Sequence, residues 1–113
     1  MKLFKRSEGI ARKISESYKV TNFLTKELSE NISVAISEAN NHFEDTKNIR
    51  SDRVYYVLEG KLKVKINDKE VVAEVGDMIF IPKNTAYHFE GTFKAILINT
   101  PAFRREDENI SKL

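Results

Sequence analysis

The hydrophobic positions of this chain fall into short runs punctuated by turn residues, most clearly over 53–89, RVYYVLEGKLKVKINDKEVVAEVGDMIFIPKNTAYHF. Leu62, Val64 and Ile66 alternate there with Lys61, Lys63 and Lys65. That period of two places one face in a core and the other in water. The pattern predicts strands over 53–58 and 61–66, joined at Glu59-Gly60, where glycine supplies the positive φ of a tight link. Asn67-Asp68 turns the chain into a strand over 70–75, and Gly76-Asp77 into another over 78–82. Pro82 ends that strand because it has no amide proton for a ladder. Glu90-Gly91 predicts a turn before a strand over 93–99, apolar on both parities, as in a strand covered on both faces. Upstream, 20–25 and 32–38 read as strands, the second with Ile32, Val34 and Ile36 on one side. Residues 40–52, NNHFEDTKNIRSD, are polar throughout and predict a long loop of the kind that carries sites beside a regular sheet. Residues 1–19 admit an amphipathic helix through Ile10, Ile14 and Tyr18 or two short strands, and strand with coil is the preferred reading. The charged tail RREDENISKL is expected to be loosely ordered.

About eight short antiparallel strands call for an all-β sandwich or small barrel. The 113 residues form one domain with its core at about 20–100, an N-terminal strand or arm at 1–19 and a charged tail at 103–113. A net charge of +2 from 19 basic and 17 acidic residues makes a mixed surface, and no nucleic-acid partner is expected. The absence of cysteine excludes disulfides, a thiolate nucleophile and cysteine-ligated metal. No apolar run reaches membrane-spanning length, and MKLFKRSEG lacks the apolar centre of a signal peptide. A cytoplasmic protein with no membrane partner is expected.

Two segments, RVYYVLEGKLKV at 53–64 and GDMIFIPKNTAYHF at 76–89, resemble the two motifs of the cupin family. The resemblance implies a cupin-type jelly-roll barrel, the double-stranded β-helix. Most cupins hold a divalent metal with three histidines and a glutamate, and here those positions differ. The glutamate position is Arg53, the His-x-His region falls on TKNIR (46–50), and the histidine position of the second motif is Tyr87. His88 comes one place late, which turns its side chain to the other face of a strand. Asn84 takes the place of a glycine, and asparagine tolerates left-handed backbone. No metal or other cofactor is therefore expected. The alternative is a sparse metal site of His42, Glu44 and His88, with Arg53 placing a fixed positive charge beside the cation.

In the cupin register Arg53, Tyr55 and Tyr87 look into the barrel. An arginine fork suits carboxylate or phosphate, and tyrosines suit a sugar or polyol. The expected function is therefore binding of a small polar or anionic ligand, a sugar, sugar phosphate or carboxylate, by Arg53, Tyr55, Tyr87 and His42. Two competing readings have Arg53 plugging the barrel mouth by pairing with Asp52, Glu44 or Asp45, and the tyrosines serving only as packing. An enzyme reading also stands: some metal-free relatives in the wider cupin superfamily epimerise nucleotide sugars with a histidine base and a tyrosine acid, roles that His42 and Tyr87 resemble. A regulatory sensor would need a partner protein, since no DNA-reading element is present in these residues. Apolar outer faces on 93–99 and at Val54, Tyr56 and Leu58 predict a homodimer.

Overall fold

Three long strands, each kinked near its middle, make the frame of the barrel. The structure, a computed structural model, describes residues 1–111, with nothing said of the Ser111 side chain. In chain order the strands are β1 (Ile10–Ser15), β2 (Tyr18–Leu24), β3 (Ser33–Asn48), β4 (Asp52–Ile66), β5 (Lys69–Ala73), β6 (Met78–Ile81), β7 (Tyr87–Thr100) and β8 (Glu108–Ser111). All pairings are antiparallel, in the order β1-β2-β3-β7-β4-β5, with β6 added to β4 and β8 to β3. The kinks line up across the sheet. Register slips in β3 between Ala39 and His42, opposite residues 91–93 of β7, and in β4 between Val57 and Glu59, opposite residues 94–95. Asn41, Gly60 and Gly91 all have positive φ. A Cβ on Gly60 would stand 2.1 Å from the Thr92 carbonyl oxygen, and one on Gly91 2.4 Å from that of Lys61. Only glycine permits the two backbones to cross so closely. The bend folds the sheet over itself into the expected all-β jelly-roll barrel.

Several local expectations change. Glu59-Gly60 and Glu90-Gly91 lie inside the continuous strands β4 and β7, not in turns between short ones, because the positive φ of glycine serves a kinked strand as well as a hairpin. The loop expected over 40–52 is mostly strand. β3 runs through to Asn48 and turns His42, Glu44, Thr46 and Asn48 inward. The inner face of this half-strand is polar and its apolar residue, Phe43, points outward, so hydrophobic periodicity could not reveal it. The helix alternative for 1–19 gives way to the β1–β2 hairpin, and Tyr18 is a core residue. The tail does not hang free. β8 pairs with β3 from Asp45↔Ser111 to Asn48↔Glu108.

Val57, Leu62, Phe89, Phe93 and Ala95, which flank the bend, fill that end of the barrel with apolar packing. Inward residues nearer the strand ends are polar, so the barrel is packed apolar at one end and lined with polar side chains at the other. Outside, two apolar rows cross four strands: Val34, Ile98, Val54 and Phe80, then Ile36, Ile96, Tyr56 and Met78. Phe80 and Met78 are exposed. Among the described residues no helix is long and apolar enough to cross a membrane.

Candidate functional site

The polar inward residues meet around one cavity of about 700 Å³, large enough for a small metabolite. Its walls include Glu44 of β3, Arg53 and Tyr55 of β4, Asn99 of β7 and Glu108 of β8, with Phe89 beneath. Period-two alternation explains the convergence: 42, 44, 46 and 48 face inward on β3, 53 and 55 on β4, and 87, 89 and 99 on β7.

Arg53 is the hub of one wall, buried and bonded on every side. Nε donates to Asn99 Oδ1 (3.0 Å) and Nη1 to the Tyr87 hydroxyl (2.9 Å). Nη1 and Nη2 clasp Glu108 in a fork at 2.9 and 2.7 Å. Asn48 Nδ2 also donates to Glu108 (2.9 Å), as does Thr46 Oγ1. Burial works against the charge of Arg53, but the Tyr87 and Tyr55 phenols and the Glu108 carboxylate outweigh it and hold its pKa above the usual guanidinium range. Burial alone would raise Glu108. The Arg53 bond and charge, with Thr46 and Asn48, instead hold it below the ordinary carboxylate value. The Tyr55 and Tyr87 hydroxyls lie 2.8 Å apart. Burial pushes both phenols up, Tyr55 strongly, with Arg53 opposing in each case. Asn99 is 2% exposed, and while its carbonyl oxygen accepts from Arg53, its Nδ2 finds no acceptor among the described residues. A buried donor left unpaired is costly, and this one belongs to a residue of the cavity wall.

The other wall carries Glu44, backed by His42. The His42 Nε2 donates to Glu44 Oε1 at 2.9 Å, and Ser17 Oγ lies 2.7 Å from Nδ1. The imidazole stacks on Tyr18 with ring centroids 4.8 Å apart and planes at 5°. His42 does not itself line the cavity, so Glu44 is the member of the pair that can touch a ligand.

Arg53, Tyr55 and Tyr87 thus come together as a group, and His42 stands apart from them across Phe89 and Tyr18. The arginine does pair with an acid, but with Glu108 and none of the three expected. Glu44 belongs to His42, Asp45 to His88, and Asp52 accepts the Lys83 amide. His88 sits on the outer face between Asp45 Oδ1 (2.8 Å) and Glu90 Oε1 (3.1 Å). It is therefore on the opposite side of the sheet from His42 and Glu44, and the three-residue metal site does not assemble. Among the described residues no three histidine or carboxylate groups gather in a way that could hold a metal. Arg53 at the glutamate position likewise does not suit a cation. Sequence reasoning missed Glu108, Asn99 and Ser17. Asn99 follows the apolar run 95–98 and shares the inward parity of Phe93 and Ala95, and that was the available signal.

The family model of the ethanolamine utilisation protein EutQ matches residues 9–103. An uncharacterised protein of Methanocaldococcus jannaschii is 28% identical over 68 residues, 57% of this chain and 54% of that protein, so the match spans about half the length of that relative. Pac13 of Streptomyces, solved with uridine as a tyrosine-to-phenylalanine form, is 25% identical with a TM-score of 0.85, covering 100% of this chain and 92% of the other. Pac13 is described as a nucleoside dehydratase. EutQ of Clostridium difficile is 26% identical with a TM-score of 0.69, covering 75% of this chain and 63% of the other. The barrel is of the cupin type in all of these solved structures and in this chain.

Proposed function

This chain belongs to the EutQ family of ethanolamine utilisation proteins, and from its cavity we propose that it binds a small polyhydroxylated molecule of the sugar or nucleoside kind and moves a proton on it. One observation carries the reading: a carboxylate backed by an imidazole faces, across one cavity, a phenol linked to a guanidinium. That is an acid–base arrangement suited to removing a proton beside a carbonyl and expelling a hydroxyl group as water. Glu44 takes and returns the proton, with His42 holding its orientation. A phenol with a raised pKa gives up its proton reluctantly, so Tyr55 serves as a hydrogen-bond donor to the developing oxyanion, alongside Asn99 Nδ2. The cupin histidine cage plays no part in this scheme. The likeness to Pac13 supports the same class, since its uridine complexes include forms altered at tyrosine and at histidine.

The floor favours neutral oxygens over an anion, because Arg53 already spends its fork on Glu108. Arg12, Lys26 and Arg105 stand around the cavity as well, and they give a terminal phosphate or carboxylate a place near the rim. Titration calorimetry with uridine and a panel of ribose and sugar phosphates tests the proposal. At least one member is expected to bind, and Asn99→Ala to weaken it about tenfold, the worth of one hydrogen bond. Failure of every member at millimolar concentration sinks the reading.

The two apolar rows on the outer face support a homodimer. A contiguous apolar sheet face of this kind is uncommon on a monomer, and a two-fold axis covers it with its own copy. Light scattering is expected to give twice the 13.0 kDa of one chain, and Phe80→Asp to return the mass to one chain. A wild-type mass of one chain would end the idea.

A further inference from the structure

His42 stands between two hollows, whose linings meet at Lys13 and Tyr18. On one side is the ligand cavity, reached through Glu44. On the other, at the bend, is an open depression of about 540 Å³ whose lining includes Ser15, Ser17 and Tyr18. His42 lines neither hollow, yet each of its ring nitrogens is bonded to a residue of a different one. The depression is open to solvent and charged at its rim. Lys13 with Glu16, Lys19 with Glu38 and Lys94 with Glu59 ring it in ion pairs. Ser15 Oγ lies 3.4 Å from Ser17 Oγ, continuing the line of hydroxyls towards solvent.

We propose that Ser17, His42 and Glu44 form a proton relay joining the ligand cavity to this vestibule, so that Glu44 exchanges protons with water while a ligand fills the cavity mouth. The relay deepens the acid–base reading given above, and its value to turnover rests on that reading. A carboxylate only accepts, so the resting imidazole carries its proton on Nε2 and accepts from Ser17 at Nδ1. In the inward step the Ser17 hydroxyl proton passes to Nδ1 as the Nε2 proton passes to Glu44. A hydronium ion or buffer acid in the vestibule restores the serine proton and is left as water or buffer base, with a neutral carboxyl and the other ring tautomer inside. The outward step reverses each transfer, and no bond other than those to hydrogen changes. The groups packed on the ring are the Glu44 carboxylate, the Tyr18 phenol, Ser17 and the Phe89 ring. The bonds to Ser17 at Nδ1 and to Glu44 at Nε2 fix the orientation of the imidazole within its stack on Tyr18, as a two-nitrogen relay requires. Ser17 is half-buried and does not itself line the cavity, so direct ligand binding does not account for an effect there.

The test uses nitrogen-15 spectra of the full chain, with the His42 ring signals assigned by their loss in His42→Gln. The expected wild-type form has the proton on Nε2. Exchange of that proton with water is expected to slow about tenfold in Ser17→Ala, the rate equivalent of one lost hydrogen bond, and to recover in Ser17→Thr, which keeps a hydroxyl. A filler or purely structural role for Ser17 would not be rescued by a hydroxyl in this way. Exchange unchanged in Ser17→Ala overturns the relay. So does a wild-type ring proton on Nδ1, a result available even if the alanine form does not fold. If the serine effect holds while uridine and the sugar panel fail to bind, the relay stands and the proposed function falls. If the panel binds and exchange ignores Ser17, the reverse follows.

Discussion

Arg53→Ala is expected to cost about 3–5 kcal/mol of stability, because it leaves Glu108 buried with no opposite charge. The fork is deep: the side chains of Arg53 and Glu108 are 5% and 9% exposed. In a domain of this size that loss corresponds to a melting point lower by roughly 12–20 °C. The first amides to lose protection from hydrogen exchange should be those of Glu108–Ser111 and their β3 partners at 45–48, since among the described residues β8 pairs with β3 alone. Replacing both partners, Arg53→Met with Glu108→Leu, is expected to be milder than either single change, since no charge is left buried. The acid limb carries the same signature. The folded pKa of Glu108 lies below its ordinary 4.5, so its contribution is complete above about 4.5 and disappears as pH falls through the lowered value. In Arg53→Ala that portion of the acid transition should vanish. Denaturant titrations at pH 7 and pH 3 read all of this. A loss under 1 kcal/mol, with phosphate or carboxylate affinity reduced instead, would mean that the guanidinium serves an anion more than it serves Glu108.

The barrel was legible because its lysine-alternating strands and its glycines are local signals. Leu62, Val64 and Ile66 fix their own face, and Gly60 announces positive φ wherever it falls. What no local signal fixes is whether such a glycine closes a hairpin or kinks a continuous strand. That depends on whether the Thr92 carbonyl approaches it, a contact 32 residues away. The site was half legible for a related reason. Arg53, Tyr55 and Tyr87 could be placed through their position in the two motif-like segments. His42 and Glu44 lay in a stretch whose inward positions are all polar, and hydrophobic periodicity cannot see a strand whose inner face is a polar cavity. Glu108 was hidden by its neighbours. Among Arg104, Arg105, Glu106 and Asp107 it looks like one more solvated charge, and only the pairing of β8 with β3 turns it into the counter-ion of a buried arginine.

Phe89→Ala should be comparably severe while removing no polar contact at all. The ring is 1% exposed and sits among five others, with centroids 5.6 Å from Tyr18 and His42, 6.1 Å from Tyr55 and Tyr87 and 6.2 Å from Phe93. Truncating a buried phenylalanine costs about 3–5 kcal/mol through lost transfer energy and the cavity that remains. Phe89→Leu, which keeps most of the volume, should cost nearer 1.5 kcal/mol. The same ring spaces the two walls of the site, with His42 against one edge and the Tyr55–Tyr87 pair against the other. Its loss therefore joins a new void to the existing cavity and frees both walls to move. A ligand bound by uridine-like contacts should weaken by a factor beyond what Asn99→Ala produces, because misplacing several donors costs more than deleting one. Equilibrium unfolding gives the stability change, and calorimetry well below the variant's midpoint gives the affinity. Lost stability with unchanged affinity would show that the two walls hold their geometry independently. The aromatic cluster would then be core packing beside the site and not the part that positions it.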